Sequence, residues 1–213
     1  MGTFKKGILG GFSGTVGTVV GSTWRGMDVM RSRPKKSGSA PTPEQLLQRE
    51  KFALAMRFQN SLRTMQKRLY GNNAGVKSRV NLAASQLLRE VVAEVNGTVV
   101  LQMNKVQVTK GDLTGFDNLS VTASAGETLG FTWTDNSLQV MADETDILSC
   151  AVYEPESGEF FIKEGPETRI EELGALVLPA ALNGATVHVF AFFQNVEQNK
   201  ACNSVYLGTV TVI

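Results

Sequence analysis

The sequence predicts an α+β protein that is mainly β, and three observations carry this prediction. After residue 97, short apolar runs alternate with turn residues at the spacing of sandwich strands. From residue 42, apolar residues recur every three or four positions, as in amphipathic helices. Nearer the N-terminus, glycine mixes with β-branched residues, which favours extended chain. We therefore divide the chain into a Gly-rich basic β arm with its linker (1–41), a helical hairpin (42–96) and an antiparallel β-sandwich domain (97–213).

The arm is predicted to be a β-hairpin. Two extended runs, residues 14–24 and 27–33, flank the pair Arg25-Gly26. Glycine inside a strand weakens it unless another backbone approaches closely, so we expect the arm to need a partner surface. That surface belongs either to the sandwich or to another subunit. Residues 34–41 have the Pro-, Gly- and Ser-rich composition of a linker.

Two helices should follow the linker. Thr42 can cap the first helix, Pro43 suits its first position, and Gly71 supplies a stop after about 28 residues, or about 42 Å. A second helix is expected over residues 76–95, and the short connection makes the pair a helical hairpin. We expect this basic hairpin to lie outside the sandwich as an appendage.

The C-terminal region is predicted to form seven or eight strands without intervening helices. The expected strands are residues 98–110, 119–123, 128–134, 148–155, 159–163, 176–178, 186–195 and 204–212. Such a pattern is typical of a fibronectin III or immunoglobulin-like sandwich, in which two sheets share one core. The predicted core comprises Phe131, Trp133, Ala151, Tyr153, Val187, Val189, Ala191 and Tyr206.

The charge is strongly asymmetric along the chain, although the total is only +1. Residues 1–90 hold sixteen basic and four acidic residues, a net charge of +12. Residues 91–213 hold five basic and sixteen acidic residues, a net charge of −11. This distribution indicates either an anionic partner for the first part or attraction between the two parts, within one subunit or between neighbours.

No pattern of catalytic or cofactor-binding residues emerges, so we predict a protein that is not an enzyme. Gly21 and Gly26 are spaced as in a phosphate loop, but Met27 and Asp28 follow where Lys and Ser or Thr are required. A serine-nucleophile elbow is also missing. The single histidine, His188, is best explained as a surface or hydrogen-bonded strand residue.

The two cysteines, Cys150 and Cys202, do not have metal-site spacing and are too few for a disulfide scaffold. We favour small buried hydrophobic residues and leave open a bridge between them.

An acidic cluster provides the only oxygen-rich candidate for a metal. Asp143, Glu144 and Asp146 lie close together, but the spacing lacks the central glycine and distal glutamate of a calcium loop. We interpret this cluster as a solvated loop, and Glu171 and Glu172 likewise. The sequence therefore predicts no metal and no cofactor.

The candidate interaction residues combine positive charge with one aromatic ring. They are Trp24, Arg25, Arg31, Arg33, Lys35 and Lys36. Basic and aromatic side chains together can grip a nucleic-acid backbone. The nearly equal and opposite charges of the two parts favour contact with acidic protein surfaces instead.

Several motifs carry a family resemblance that extends over nearly the whole chain. They include Trp24-Arg25-Gly26, Arg31-Ser32-Arg33-Pro34, Thr42-Pro43-Glu44-Gln45, Phe131-Thr132-Trp133 and Ser204-Val205-Tyr206-Leu207-Gly208. Together they resemble an uncharacterised domain-of-unknown-function family from Bacteroidetes and their mobile elements. The resemblance implies no activity, cofactor or catalytic residue. The arm and the Thr-Pro-x-Gln motif are also similar to small phage-encoded proteins, which implies a virion or tail accessory role.

Three functional hypotheses follow. The first is a non-catalytic structural or interaction protein that assembles with itself or another structural protein through the basic arm and helices. The second is a nucleic-acid-binding module. The third is a surface carbohydrate-binding or adhesive protein, which would need exposed aromatic rings such as Phe160, Phe161 or Phe192. Because no signal peptide or membrane span is evident, we expect a cytoplasmic or virion-associated protein.

Overall fold

The structure is a computed structural model that describes residues 2–3, 12–35, 38, 40–73, 75 and 77–213. It forms two compact units, Met1–Pro43 and Glu44–Ile213. The finer division into arm, helical hairpin and sandwich domain stays a prediction.

The first unit contains an antiparallel four-stranded sheet, the arm sheet, in the order β1-β4-β3-β2. Its strands are β1 Gly2–Thr3, β2 Gly14–Val16, β3 Val19–Trp24 and β4 Met27–Ser32. Arg25 and Gly26 both have positive φ, 51° and 77°, as a two-residue hairpin turn requires. The predicted hairpin around Arg25-Gly26 is therefore confirmed.

A close contact explains one glycine of the arm sheet. A Cβ atom at Gly21 would collide with the carbonyl oxygen of Phe12 and would lie 2.6 Å from Cε2 of its ring. Only glycine leaves room for Phe12 to cross β3 at this point.

Helix α1, Pro43–Leu69, is close to its predicted bounds, and all of it after Pro43 belongs to the second unit. Helix α2, Arg79–Gln86, starts at Ser78, whose side chain accepts a hydrogen bond from the Asn81 N–H. A π-helical turn, Leu87–Val91, follows it. The two helices are linked by a hydrogen bond from Gln59 Nε2 to the carbonyl oxygen of Val80, at 2.8 Å.

The second helix is shorter than predicted. Its predicted start, Val76, lies outside the described residues, and its predicted end is wrong because β5, Val92–Val95, pairs with β6, Thr98–Leu101. Asn96-Gly97 joins these strands with φ values of 52° and 78°, the conformation that Asn-Gly favours in tight hairpins.

The predicted strand 98–110 is also wrong beyond Leu101. A 3₁₀ turn, Met103–Lys105, interrupts it. The irregular chain that follows is held by a hydrogen bond from the Val108 N–H to Ser204 Oγ, at 2.8 Å. Val106 and Val108 are buried without pairing in a sheet, and their apolar side chains produced the same sequence pattern as a strand.

Seven strands make the sandwich, and every pairing between them is antiparallel. They are β7 Asp117–Ser124, β8 Thr128–Thr134, β9 Ile147–Glu154, β10 Glu159–Thr168, β11 Leu173–Val177, β12 Thr186–Gln194 and β13 Val205–Thr211. One sheet has the order β10-β9-β12-β13 and the other β11-β8-β7. This division into four and three strands is typical of immunoglobulin-like sandwiches, and the predicted fold class is confirmed.

Strand β9 is buried on both faces. Side chains alternate along a strand, so Leu148, Cys150 and Val152 share one face. Leu148 pairs with Phe193, whose ring meets the Trp133 ring of the other sheet at 5.8 Å between centroids. This face is the interior of the sandwich.

The opposite face of β9 is covered by α1. The Phe58 ring of α1 makes edge contacts at 5.0 Å with the rings of Tyr153 and Phe160, which pair across β9 and β10. Ala55, Leu62, Met65 and Leu69 belong to the same continuous core. The expectation of a helical appendage outside the core is therefore wrong, because an amphipathic helix buries its apolar stripe on the nearest apolar sheet.

The predicted core residues are buried, apart from Tyr206, which is half-buried. In the described part of the chain, no helix combines the length and apolarity needed to cross a membrane.

Candidate interaction surfaces

One face of the arm sheet carries most of the predicted interaction residues. Cross-strand partners lie on the same face, and Trp24 pairs with Met27 while Arg31 pairs with Val20. Alternation along β4 then places Met27, Val29 and Arg31 on this face together with Trp24. Trp24 is half exposed, and the Arg25 guanidinium lies over its ring at 5.1 Å from the centroid.

Arg31 and Arg33 lie toward the other end of the arm sheet. Arg31 is four residues from Met27 along β4, about 13 Å at 3.3 Å per residue. Arg33 follows β4, where its N–H donates to the carbonyl oxygen of Thr18 at 2.8 Å. Lys35 is exposed, and Lys36 lies outside the described residues. The structure thus brings Trp24 and Arg25 together and separates them from the Arg31 end.

The arm sheet buries little apolar surface. Only Gly21 and Val29 are buried among the described residues of β2, β3 and β4. The exposed apolar side chains near or in these strands are Phe12, Val16, Val19, Trp24, Met27 and Met30. Trp24 and Met27 are exposed on the same face as the buried Val29, so this end of the face presents apolar surface to solvent.

A second exposed apolar site lies on the sandwich, in the 135–146 loop between β8 and β9. Leu138 is 97% exposed and Val140 is 86% exposed. The acidic side chains of Asp135, Asp143 and Glu144 are also exposed in this loop. From the sequence, only the acidic residues of this loop were considered. Three apolar residues, 138, 140 and 141, lie between Asp135 and Asp143 and could have indicated the site.

The acidic cluster of this loop separates into different roles. Asp146 is buried and bound to Arg169, so its interpretation as part of a solvated loop is wrong. Asp143 is exposed, and hydrogen bonds from the side chain and N–H of Thr145 hold its pKa below the usual range. Among the described residues, no group of three or more His, Cys, Asp or Glu side chains could hold a metal ion.

Glu171 and Glu172 make local hydrogen bonds. Glu171 Oε2 accepts from the N–H of Thr168 at 2.7 Å, and Glu172 Oε1 accepts from the N–H of Asp135 at 2.8 Å. Both side chains are exposed, as expected.

The histidine and the two cysteines have structural roles in the sandwich. His188 Nδ1 lies 2.8 Å from the Tyr206 hydroxyl, so the prediction of a hydrogen-bonded strand histidine is confirmed. Cys150 and Cys202 are free and buried, and burial raises their pKa values to about 12 and about 11.

One protein family matches nearly the whole length of the chain. The model of a family of unknown function (DUF6266) matches residues 11–208. The chain belongs to DUF6266. The predicted resemblance to a domain-of-unknown-function family is therefore confirmed, while the Bacteroidetes and phage origin stays a prediction. No curated protein matches this DUF6266 chain.

Among solved structures, this DUF6266 protein is similar to the fn3 domain of the human collagen alpha-1(XX) chain. The sequence identity is 13%, the TM-score is 0.33, and the match covers 47% of this chain and 85% of that chain. A TM-score this low is not evidence for a shared fold. The assignment of the sandwich is based on the strand pairing within this chain.

Polar side chains line most of one hollow in the described part of the DUF6266 chain. This hollow has a volume of about 360 Å³ and is lined by Tyr70, Gln86, Arg89, Glu90 and Lys110, among others. The Tyr70 hydroxyl and Gln86 Oε1 have no hydrogen-bond partner, and burial, with the nearby Glu90 carboxylate, raises the Tyr70 pKa to about 12. Small-molecule pockets are predominantly apolar with a few polar groups, so this hollow does not define a ligand class.

The aromatic rings required by the carbohydrate-binding hypothesis pack against the core, one fully and two partly buried. Phe192 is fully buried, so its expected exposure is wrong. Phe160 packs against Phe58 and Tyr153, and Phe161 is half-buried. Their apolar rings serve the core because β10 and β12 lie within the sheet that α1 covers.

Proposed function

We propose that this DUF6266 protein is a non-catalytic interaction protein that assembles with copies of itself through its N-terminal arm. The observation that carries the proposal is the arm sheet, which joins exposed apolar side chains to positive charge on one face. Trp24 and Met27 supply the apolar contact, and Arg25, Arg31 and Arg33 supply the charge. Aromatic and arginine side chains are the residue types enriched at protein interfaces.

The charges of the two compact units support self-assembly. Residues 1–43 contain seven basic and one acidic residue, a net charge of +6. Residues 44–213 contain fourteen basic and nineteen acidic residues, a net charge of −5. Each copy therefore offers a basic unit and an acidic unit, and opposite charges on two copies steer association.

When the arm of one copy binds the second compact unit of another copy, the contact is heterologous, because two different surfaces meet. Such contacts close into rings or continue as open chains. We therefore expect the average mass in solution to rise with protein concentration at low salt and to fall at high salt, where charges are screened.

Sedimentation equilibrium of four proteins tests the proposal: wild type, Trp24→Ser/Met27→Ser, and two controls. Leu173→Ser/Val177→Ser removes two exposed apolar side chains from β11, and Arg63→Ser removes an exposed cation from α1. The wild type and both controls should exceed the monomer mass of 23.0 kDa, whereas the arm variant should remain at that mass. A wild type that stays monomeric at low salt and high concentration overturns self-assembly.

The stacked Trp24–Arg25 pair specifically favours nucleic-acid binding as the second candidate function. Titration with single-stranded and duplex DNA at low salt separates the two candidates. A monomeric wild type whose DNA affinity falls steeply with salt and is lost in the arm variant would support this alternative and overturn the first proposal.

A virion or tail accessory component would be one setting for such assembly, and this role stays a prediction.

A further inference from the structure

The two ends of the 135–146 loop are anchored by hydrogen bonds to the buried side chain of Arg169. The Arg169 guanidinium is buried beneath it, and its Nη1 donates to Asn136 Oδ1 at 2.5 Å while its Nη2 donates to Asp146 Oδ2 at 2.9 Å. Asn136 Nδ2 in turn donates to the carbonyl oxygen of Gly115 at 2.9 Å. Because Asn136 and Asp146 stand near the two ends of the loop, one buried cation fixes both ends.

The middle of the loop is anchored by hydrogen bonds to Thr114 and Asp117. The Thr114 N–H donates to the carbonyl oxygen of Met141 at 3.0 Å, and Thr114 Oγ1 donates to that of Val140 at 2.5 Å. Gln139 Nε2 donates to Asp117 Oδ2 at 2.8 Å. Met141 is kept at φ 62°, a conformation that non-glycine residues seldom adopt.

These hydrogen bonds fix the backbone that carries the exposed side chains of Leu138 and Val140. Leu138 and Val140 point into solvent from a segment that is hydrogen-bonded to its neighbours at its ends and in its middle. A loop with this many anchors displays the same apolar side chains in every molecule, and a partner would lose little conformational entropy of the loop on binding.

We propose that the 135–146 loop of one copy receives the arm of a second copy, and this inference rests on the proposed function. Leu138 and Val140 match the apolar Trp24 and Met27 of the arm. The acidic Asp135, Asp143 and Glu144 match its basic Arg25, Arg31 and Arg33. Asp143 Oδ1 accepts hydrogen bonds from the side chain and the N–H of Thr145, which lower the pKa of this carboxyl.

The loop is favoured over the other exposed apolar sites of the sandwich by its charges. Leu173 and Val177 are also exposed on β11, but there the side chain of Lys163 approaches, donating to the carbonyl oxygen of Val177 at 3.4 Å. Within the 135–146 loop, all of which the structure describes, there is no Lys or Arg at all. Leu138 and Val140 therefore lie between acidic side chains of their own loop, while Met141 lines a hollow that also contains four basic side chains.

Complementation between two defective copies tests the assignment. One copy carries Trp24→Ser/Met27→Ser in the arm, and the other carries Leu138→Ser/Val140→Ser in the loop. Each alone should associate at least about tenfold more weakly than wild type. A mixture should form a one-to-one complex of about 46 kDa, twice the 23.0 kDa monomer, through the intact arm of one and the intact loop of the other.

The remaining outcomes discriminate between the two proposals. Undiminished self-association of the loop variant, with loss in the arm variant, would overturn the loop assignment and leave self-assembly standing. So would failure of the mixture to form the complex while the Leu173→Ser/Val177→Ser control assembles as wild type. A monomeric wild type would overturn both proposals. Because Leu138 and Val140 are almost fully exposed, the loop variant should retain the wild-type unfolding midpoint.

Discussion

The guanidinium of Arg169 and the carboxylate of Asp146 form a salt bridge inside the sandwich, with Nη2 and Oδ2 2.9 Å apart and both side chains buried. The main chains also join, because the Arg169 N–H donates to the carbonyl oxygen of Asp146 at 2.8 Å. The Phe193 ring covers the guanidinium at 4.0 Å from its centroid. The pair lies between the end of the sandwich core and the 135–146 loop, so it serves both stability and the exposed surface.

Substituting Arg169 by alanine should lower the free energy of unfolding by about 3–5 kcal/mol. The reason is that Asp146 would remain buried without a compensating charge. Urea denaturation followed by tryptophan fluorescence measures the loss. Arg169→Met combined with Asp146→Leu should recover part of the stability, because the orphaned charge is then removed as well. A loss below about 1 kcal/mol in Arg169→Ala would contradict the role of this bridge.

Helix α1 should contribute strongly to the stability of the second compact unit. Phe58→Ala should lower the free energy of unfolding by about 3–5 kcal/mol, because the ring is 2% exposed and contacts Tyr153 and Phe160. Phe52→Ala is the matched control on the same helix, and since Phe52 is 52% exposed its effect should stay within about 0.5 kcal/mol. An effect of Phe58→Ala as small as that expected for Phe52→Ala would show that this face of α1 is not part of the core.

The stability should depend on pH through His188. Partial burial lowers the pKa of its imidazole below the usual value, so the unfolded chain takes up a proton more readily than the folded chain. The stabilising contribution is complete above the unfolded pKa of about 6.5 and declines as the pH falls through that value toward the folded pKa. Urea midpoints between neutral and mildly acidic pH should therefore fall less steeply for His188→Gln than for wild type. Parallel curves would contradict the prediction, since carboxylates common to both proteins contribute equally.

The two thiols should be unreactive in the folded protein. Burial raises the pKa of Cys150 to about 12 and that of Cys202 to about 11, so little thiolate exists at mildly alkaline pH. The N–H of Phe193 donates to Cys202 Sγ at 3.1 Å and lowers the pKa of this thiol, but burial has the larger effect. A colorimetric disulfide reagent should modify neither thiol in the native state and both in denaturant, with one equivalent lost in Cys202→Ala. Rapid stoichiometric modification of the native protein would contradict this expectation.

Local patterns predicted much of this fold. The apolar alternation of β8, the nearly continuous apolar runs of β9 and β12 and the turns between the strands predicted the sandwich. The start of α1 at Pro43 and the Arg25-Gly26 turn were likewise predicted from signals within a few residues of the structure itself. The same local signals predicted that Trp24, Arg25 and Arg31 belong to one extended arm.

Other features were local but were missed. Asn96-Gly97 is a strong hairpin signal, yet the helical spacing of the preceding apolar residues outweighed it in the prediction. The exposure of Leu138 and Val140 was also missed, because apolar side chains in a loop are assigned to the interior unless the surrounding packing is known.

The amino-acid pattern alone was enough to predict the sandwich strands, the arm hairpin, the charge asymmetry and the family. Three features emerged from tertiary packing instead: α1 covers the outer face of β9, Arg169 buries Asp146, and the 135–146 loop displays its apolar residues. These features join side chains separated by 23 residues in the case of Asp146 and Arg169, and by about 100 residues for Phe58 and Phe160. Periodicity predicts which side chains are buried. Which residues cover each of them depends on packing between segments that are distant in the sequence.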